Sequence, residues 1–217
     1  MRNLLEKELR LATSPLAWLF LLFSVMTFLP GYPILMGCFF VCLGLFQSFQ
    51  AARESGDILY TVLLPVRKAD AVKAKYISVC FFELLALLLM GLFTAIRMTV
   101  LAAAPVYEQN VMMNATPVFL AFAAWIFALF NWIFVGGFFR TGYKIGKPFV
   151  CFIVAAMLMV GLAETLHHLP PLRFLHAPGG ERLGLQLAVL LAALLLSAAV
   201  TLLSERASER RFAKLDL

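Results

Sequence analysis

Three ionisable residues sit where charge is costly. Glu83 and Arg97 lie in one apolar run and Glu164 in another, and an ionised group at membrane depth costs at least about 2.5 kcal/mol, so each should face protein or water. Fourteen residues separate Glu83 from Arg97, which on a helix places them within about 40° of each other, on a stripe with Leu87, Met90 and Thr94. Two roles stay open for this set: a structural ion pair, most simply Arg97 with Glu164 near the outer end, or polar points along a transport pathway. Asn131, in a further apolar run, suits an interhelical hydrogen bond.

Other constellations are weaker. Cys38 and Cys42 share a helix face, but two thiols without further ligands do not make a metal site, and all four cysteines fall in apolar runs where a thiol acts as a small apolar group. His167, His168 and His176 share one loop with only Glu181 as a nearby carboxylate, a poor zinc set, so no metal is expected. Gly142-x-x-x-Gly146-Lys147 is one residue short of a phosphate-binding loop and is followed by Pro148, with no Ser or Thr for magnesium. A catalytic cluster is not evident: Glu83, Arg97 and Glu164 supply no Ser-His, paired-Asp or metal set.

The elements that position these residues follow from composition. Of the 217 residues 63% are hydrophobic and 14% charged, against about half apolar in soluble domains. Charge gathers between apolar runs of roughly 18 residues or more, the length that about 30 Å of hydrocarbon requires. The expected fold is all-α, one polytopic domain over residues 1–217 with six transmembrane helices, near 16–29, 32–49, 77–100, 118–139, 149–166 and 183–203. Pro30-Gly31 follows the first run in place of a small-residue cleavage site, so that span is expected to be retained. Met1 to Ala12 has an amphipathic pattern that suits either an interfacial helix or an extension of the first span.

Loop charge sets the expected orientation. Fifteen of the 18 Lys and Arg residues fall in the N-terminus, the 53–76 loop, the 140–147 hairpin and the tail, whereas the other side holds only Arg173 and Arg182 and Arg97 lies within a span. The positive-inside rule then places both termini in the cytoplasm. With the basic residues explained by topology, nucleic acid is not an expected partner.

The longest charged connection, RESGDILYTVLLPVRKADAVKAKY from Arg53 to Tyr76, carries the most specific signal. Gly56 interrupts one helix, Ser55 or Asp57 can cap a short new one to Leu64, Pro65 stops it, and Asp70 can cap a helix running through Lys73, Lys75 and Tyr76 into the next span. The short helix holds Ile58, Leu59, Tyr60, Val62, Leu63 and Leu64 with little polar surface, so it must pack against something. In the order of Glu54, Asp57, Leu64-Pro65-Val66, Arg67-Lys68, Asp70 and Lys75-Tyr76 the loop resembles the first cytoplasmic loop of ABC-2 type transporter permeases. The hairpin Arg140-Thr-Gly-Tyr-Lys, with Gly142, Tyr143 and Lys144, is similar to the second cytoplasmic loop of small bacterial members, where a Gly-Tyr-Lys turn recurs; its own bases can face lipid phosphate.

The resemblance implies a coupling helix, carried here by Asp57, Ile58, Leu59, Val62, Leu63 and Pro65, that seats in a groove of a separate ATPase subunit. It also implies an N-terminal elbow helix with a turn like Lys7-Glu8-Leu9, short helices before the last span, and a dimer of permeases in a bacterial inner membrane. No nucleotide-binding domain is read in the chain, so ATP and Mg would sit on the partner, and an exporter is the expected function. Two rivals remain: a six-helix membrane component that captures a small solute, which would not need so apolar a helix in this loop, and an intramembrane enzyme.

Overall fold

A computed structural model describes residues 2–102, 104–108, 110–166, 168–175 and 182–215. Among these the chain is helical throughout, with no strand. In chain order the α-helices are α1 (Arg2–Lys7), α2 (Pro15–Phe20), α3 (Met36–Glu54), α4 (Asp57–Leu63), α5 (Lys68–Thr99), α6 (Pro105–Glu108), α7 (Pro117–Leu129), α8 (Gly136–Thr141), α9 (Gly146–Leu166) and α10 (Leu183–Phe212). A π-helical turn, Glu8–Ala12, extends α1, and a 3-10 helix, Leu21–Phe28, extends α2. A second π turn, Phe130–Val135, joins α7 to α8, and a 3-10 helix over Pro170–Leu175 follows α9.

Among the described residues four helices are long and apolar enough to cross a membrane: Lys68–Thr99, Pro117–Thr141, Gly146–Leu166 and Leu183–Phe212. A fifth crossing exists if Asn3–Ala12 and Pro15–Phe28, bent by 80° across Thr13 and Ser14, are taken as one. The remaining long helix, α3, has 19 residues, and Gln47, Gln50, Arg53 and Glu54 make its last two turns polar.

α3 packs at the centre, with Cys38, Val41, Cys42, Leu45 and Phe49 all buried. Gly44 lets it lie against α2, because a Cβ at that position would fall 2.6 Å from Phe20 Cβ. On its other side α3 contributes Phe46 and Phe49 to an aromatic stack with Phe134, Phe138 and Phe149, in which Phe46 and Phe149 lie 3.9 Å apart centre to centre. Such ring contacts add to the dispersion that holds apolar helices together where no hydrophobic effect acts between them.

Both ends of the chain lie at one end of the bundle, here termed the base. Lys68 Nζ donates to the Leu215 carbonyl at 2.6 Å, and Phe212 packs edge-on to Phe139. The opposite end carries the 29–35 turn and the 100–116 segment, tied together by the Gly31 amide donating to Asn110 Oδ1 at 3.0 Å.

Candidate functional site

The base is built around α4. Gly56, at φ 65°, turns the chain out of α3, and the extended backbone of Leu64 ends the helix one residue before Pro65. Only glycine enters that left-handed region without strain. Neither Ser55 nor Asp57 caps the helix with its side chain, in contrast to the sequence reading; Gly56 is the N-cap residue, and Asp57 instead forms an ion pair at 2.6 Å with Lys7 Nζ.

That lysine also donates to Thr61 Oγ1 at 2.7 Å and meets Glu8 Oε1 at 3.2 Å, while Glu8 Oε2 accepts from Lys75 Nζ at 2.8 Å. Glu8 and Thr61 are buried, and Lys75 lies over the Phe49 ring. Five polar side chains thus bind the N-terminal segment, α4 and α5 into one unit. The amphipathic reading of residues 1–12 did not assign Glu8 a face; Leu4, Glu8 and Ala12 form the inward one, and Leu11 points out.

With its polar side fixed, α4 divides its apolar residues. Ile58 and Val62 pack inward against the core, whereas Leu59, Tyr60 and Leu63 are exposed, Leu63 by 85%. The expected binding residues are therefore two different sets. Leu59 and Leu63 share a face by their spacing of four, and Ile58 and Val62 seat the helix on its own protein. Pro65 is exposed beside them.

The structure brings the two loops together. Ile58, Leu59 and Gly56 of the first and Phe138, Gly142 and Tyr143 of the second line one groove with Ala52 and Arg53. Gly142, at φ 78°, ends α8 and aims Tyr143 outward. Arg140 and Lys144 lie on another side of the same hairpin, where they line a separate pocket with Lys147.

α5 follows as one unbroken helix of 32 residues from the loop into the bundle. Contrary to the sequence reading, Asp70 does not cap it; the helix starts at Lys68, and Asp70 accepts two hydrogen bonds from Arg67, of 3.0 and 3.1 Å. That bond and the charge behind it hold the Arg67 guanidinium above its ordinary value.

Inside the bundle, Glu83 and Arg97 have separate settings. Glu83 is buried and accepts from Asn131 Nδ2 at 2.8 Å. The π turn at Asn131 leaves its carbonyl open to Tyr76 Oη at 3.3 Å and Ser204 Oγ at 2.8 Å, and Tyr76 also meets Ser208 Oγ at 3.0 Å. Turns of this kind recur at functional sites. Thr201, Ser204 and Ser208, missed in the sequence, stand on one face of α10 with spacings of three and four, a pattern that marks a polar stripe in an apolar helix.

Arg97 does not pair with Glu164. Its guanidinium donates to the Thr27 carbonyl at 2.7 Å and Asn114 Oδ1 at 2.9 Å and lies 4.1 Å from the Tyr107 ring centre, while Glu164 Oε2 accepts from the Met113 amide at 2.8 Å. Each group has its own partners in place of the other: Arg97 holds a helix carbonyl and a loop side-chain amide, and Glu164 holds a loop amide by Oε2, while its Oε1 is buried without a hydrogen bond among the described residues. His167, His176 and Glu181, weighed as a poor zinc set, lie outside the described residues, and no cluster of three metal-binding side chains occurs among those described.

A bundle of long apolar helices with a polar-anchored short helix at one end defines a multi-pass helical membrane protein. A family model described as ABC-2 family transporter protein matches residues 3–208, and the chain belongs to that family. It is a membrane permease of an ABC transporter, which implies association with an ABC ATPase. No curated protein and no solved structure matches the chain.

Proposed function

We propose that this chain is the permease of a bacterial exporter and that α4 is its coupling helix, presented to the ATPase subunit by Leu59, Tyr60 and Leu63. The observation that carries the reading is the division of α4: one side locked to Lys7, which Glu8 links to Lys75, the other offering three large apolar side chains to whatever covers them. Large exposed apolar groups on a fixed helix are suited to be anchors in a partner's groove. The groove shared with Tyr143 extends this surface to the second loop.

In this reading both termini are cytoplasmic, as the loop charges suggest, and Pro15–Phe28 and α3 complete six spans, joined at the 29–35 turn. Asn3–Ala12, bent away by 80°, serves as the elbow helix. ATP and Mg are held by the partner subunit. Closure of two ATPase subunits would draw two α4 helices together in a permease dimer and switch access to a pathway between the permeases.

The test is co-purification of the ATPase subunit with Leu63→Glu. A carboxylate in a buried apolar contact costs several kcal/mol unless paired, so the complex should be lost while the spans still fold. Ile58→Glu is the internal comparison: it faces the protein's own core and should lower stability itself. Retention of a full complement of ATPase by Leu63→Glu would refute the coupling assignment.

A further inference from the structure

The hairpin between α8 and α9 holds a second site. Its shape is fixed by its own bonds: Thr141 Oγ1 accepts the Lys144 amide at 3.1 Å and donates to the Phe138 carbonyl at 3.4 Å. Arg140, Lys144 and Lys147 stand around one pocket whose floor is Ile133, Gly137, Pro148 and Cys151. Gly137 closes that floor, since a Cβ there would lie 2.8 Å from Pro148 Cβ. The two helices touch, and the pocket is roofed by charge and floored by carbon.

All three bases are exposed, and among the described residues none forms an ion pair. At the same end Lys7, Lys73, Lys75 and Arg67 each have a carboxylate partner, whereas Arg53, Lys68, Arg206, Arg210, Arg211 and Lys214, like these three, have none among the described residues. What sets Arg140, Lys144 and Lys147 apart is that they converge on one pocket with an apolar floor at the join of two helices, an arrangement suited to an anion. From the floor, an exposed apolar strip, Val150, Val154 and Leu158, continues along α9 toward the middle of the span at spacings of four.

We propose that this pocket binds one anionic phospholipid, its phosphate among Arg140, Lys144 and Lys147 and an acyl chain along Val150, Val154 and Leu158. Guanidinium and ammonium groups together match a phosphate at the bilayer surface, and basic pockets between helices at that depth select charged head groups. Free phosphate satisfies the cations but leaves the apolar floor and strip without an occupant. Tyr143 and Leu59 line a different groove. The proposal rests on α7 to α9 lying in the membrane and is independent of the coupling assignment.

The test uses purified, delipidated protein in neutral detergent, titrated with palmitoyl-oleoyl phosphatidylglycerol or phosphatidylcholine and read by native mass spectrometry. One phosphatidylglycerol should bind in preference to phosphatidylcholine. Changing all three bases to Gln should weaken it about a hundredfold, at about fivefold for each base, and leave phosphatidylcholine unchanged. An equal loss of charge elsewhere, Arg10→Gln with Arg206→Gln and Arg210→Gln, should alter binding by less than about twofold. A second reading uses a Cys80→Ser background, because Cys80 is half-buried whereas Cys38 and Cys42 are buried. With Cys151 exposed in the pocket, phosphatidylglycerol, but neither phosphatidylcholine nor inorganic phosphate, should slow its reaction with maleimide.

Equal binding of the two lipids, an equal effect of the distant triple change, or undiminished phosphatidylglycerol binding by the pocket variant would each overturn the proposal. So would protection of Cys151 by inorganic phosphate alone. Loss of the ATPase subunit from the pocket variant with lipid binding intact would assign the bases to a protein partner.

Discussion

Replacing Glu8 with Gln should destabilise the fold out of proportion to the change in size. The side chain keeps its volume, so packing is nearly conserved, and the loss is electrostatic. Glu8 is the only carboxylate that meets Lys75 among the described residues, at 2.8 Å, and the two side chains are 6% and 9% exposed. Without it the Lys75 ammonium remains buried with a ring face 5.1 Å away and Lys7 nearby as a like charge. Breaking one partner of a buried pair costs about 3–5 kcal/mol. Because the Gln carbonyl still accepts one hydrogen bond from Lys75, the lower end, about 3 kcal/mol, is expected. Reversible unfolding in mixed detergent micelles, followed by helical circular dichroism, measures it. In a double-mutant cycle with Lys75→Met the losses should fall short of additivity by about 2 kcal/mol, since the second change removes the unpaired charge. A cost under about 0.5 kcal/mol for Glu8→Gln, or plain additivity, would show that the cluster does not hold the base together.

The same cycle applied to Arg97→Met and Glu164→Gln should give the opposite answer, additivity within about 0.5 kcal/mol, because the two charges hold different groups of the 107–114 segment and do not meet. A large coupling would restore the ion pair. At Glu83, Gln keeps an acceptor for Asn131 and should be tolerated, whereas Leu leaves the buried amide one partner short and should cost about 1–3 kcal/mol. Similar stabilities for the two variants would mean that the Asn131 bond contributes little.

The sequence disclosed most where local rules act alone. Gly56, Pro65 and the apolar run between them place α4 within a residue of its observed end, and the lack of Pro or mid-helix breaks from Ala69 to Thr99 makes α5 continuous. Partner choice was less legible. Arg97 and Glu164 are complementary as letters, but Asn114, Tyr107 and the Thr27 carbonyl are nearer once the segment after α5 folds back, and no local pattern reveals that. The exposed and inward halves of α4 depend on Lys7, which lies 50 residues before Asp57, so the apolar residues could not be divided beforehand. The π turn at Asn131 arises where Gly136 meets Ser204 and Ser208, whose small size in an apolar run resembles ordinary filler. The 3-10 character of Leu21–Phe28 has no sequence signal that we can identify.

The unbroken length of α5 makes it a lever. Thirty-two residues at 1.5 Å each give a rod about 48 Å long. Lys75 fastens its lower part to the N-terminal segment, and Arg97 grips the Thr27 carbonyl and Asn114 at the other end. With no Pro or π turn between these points to act as a joint, a tilt of 10° imposed at the base would swing the far end by about 8 Å. The grip of Arg97 would then carry the segment around Asn114 along, so a push delivered at the base would become a displacement at the opposite end of the bundle.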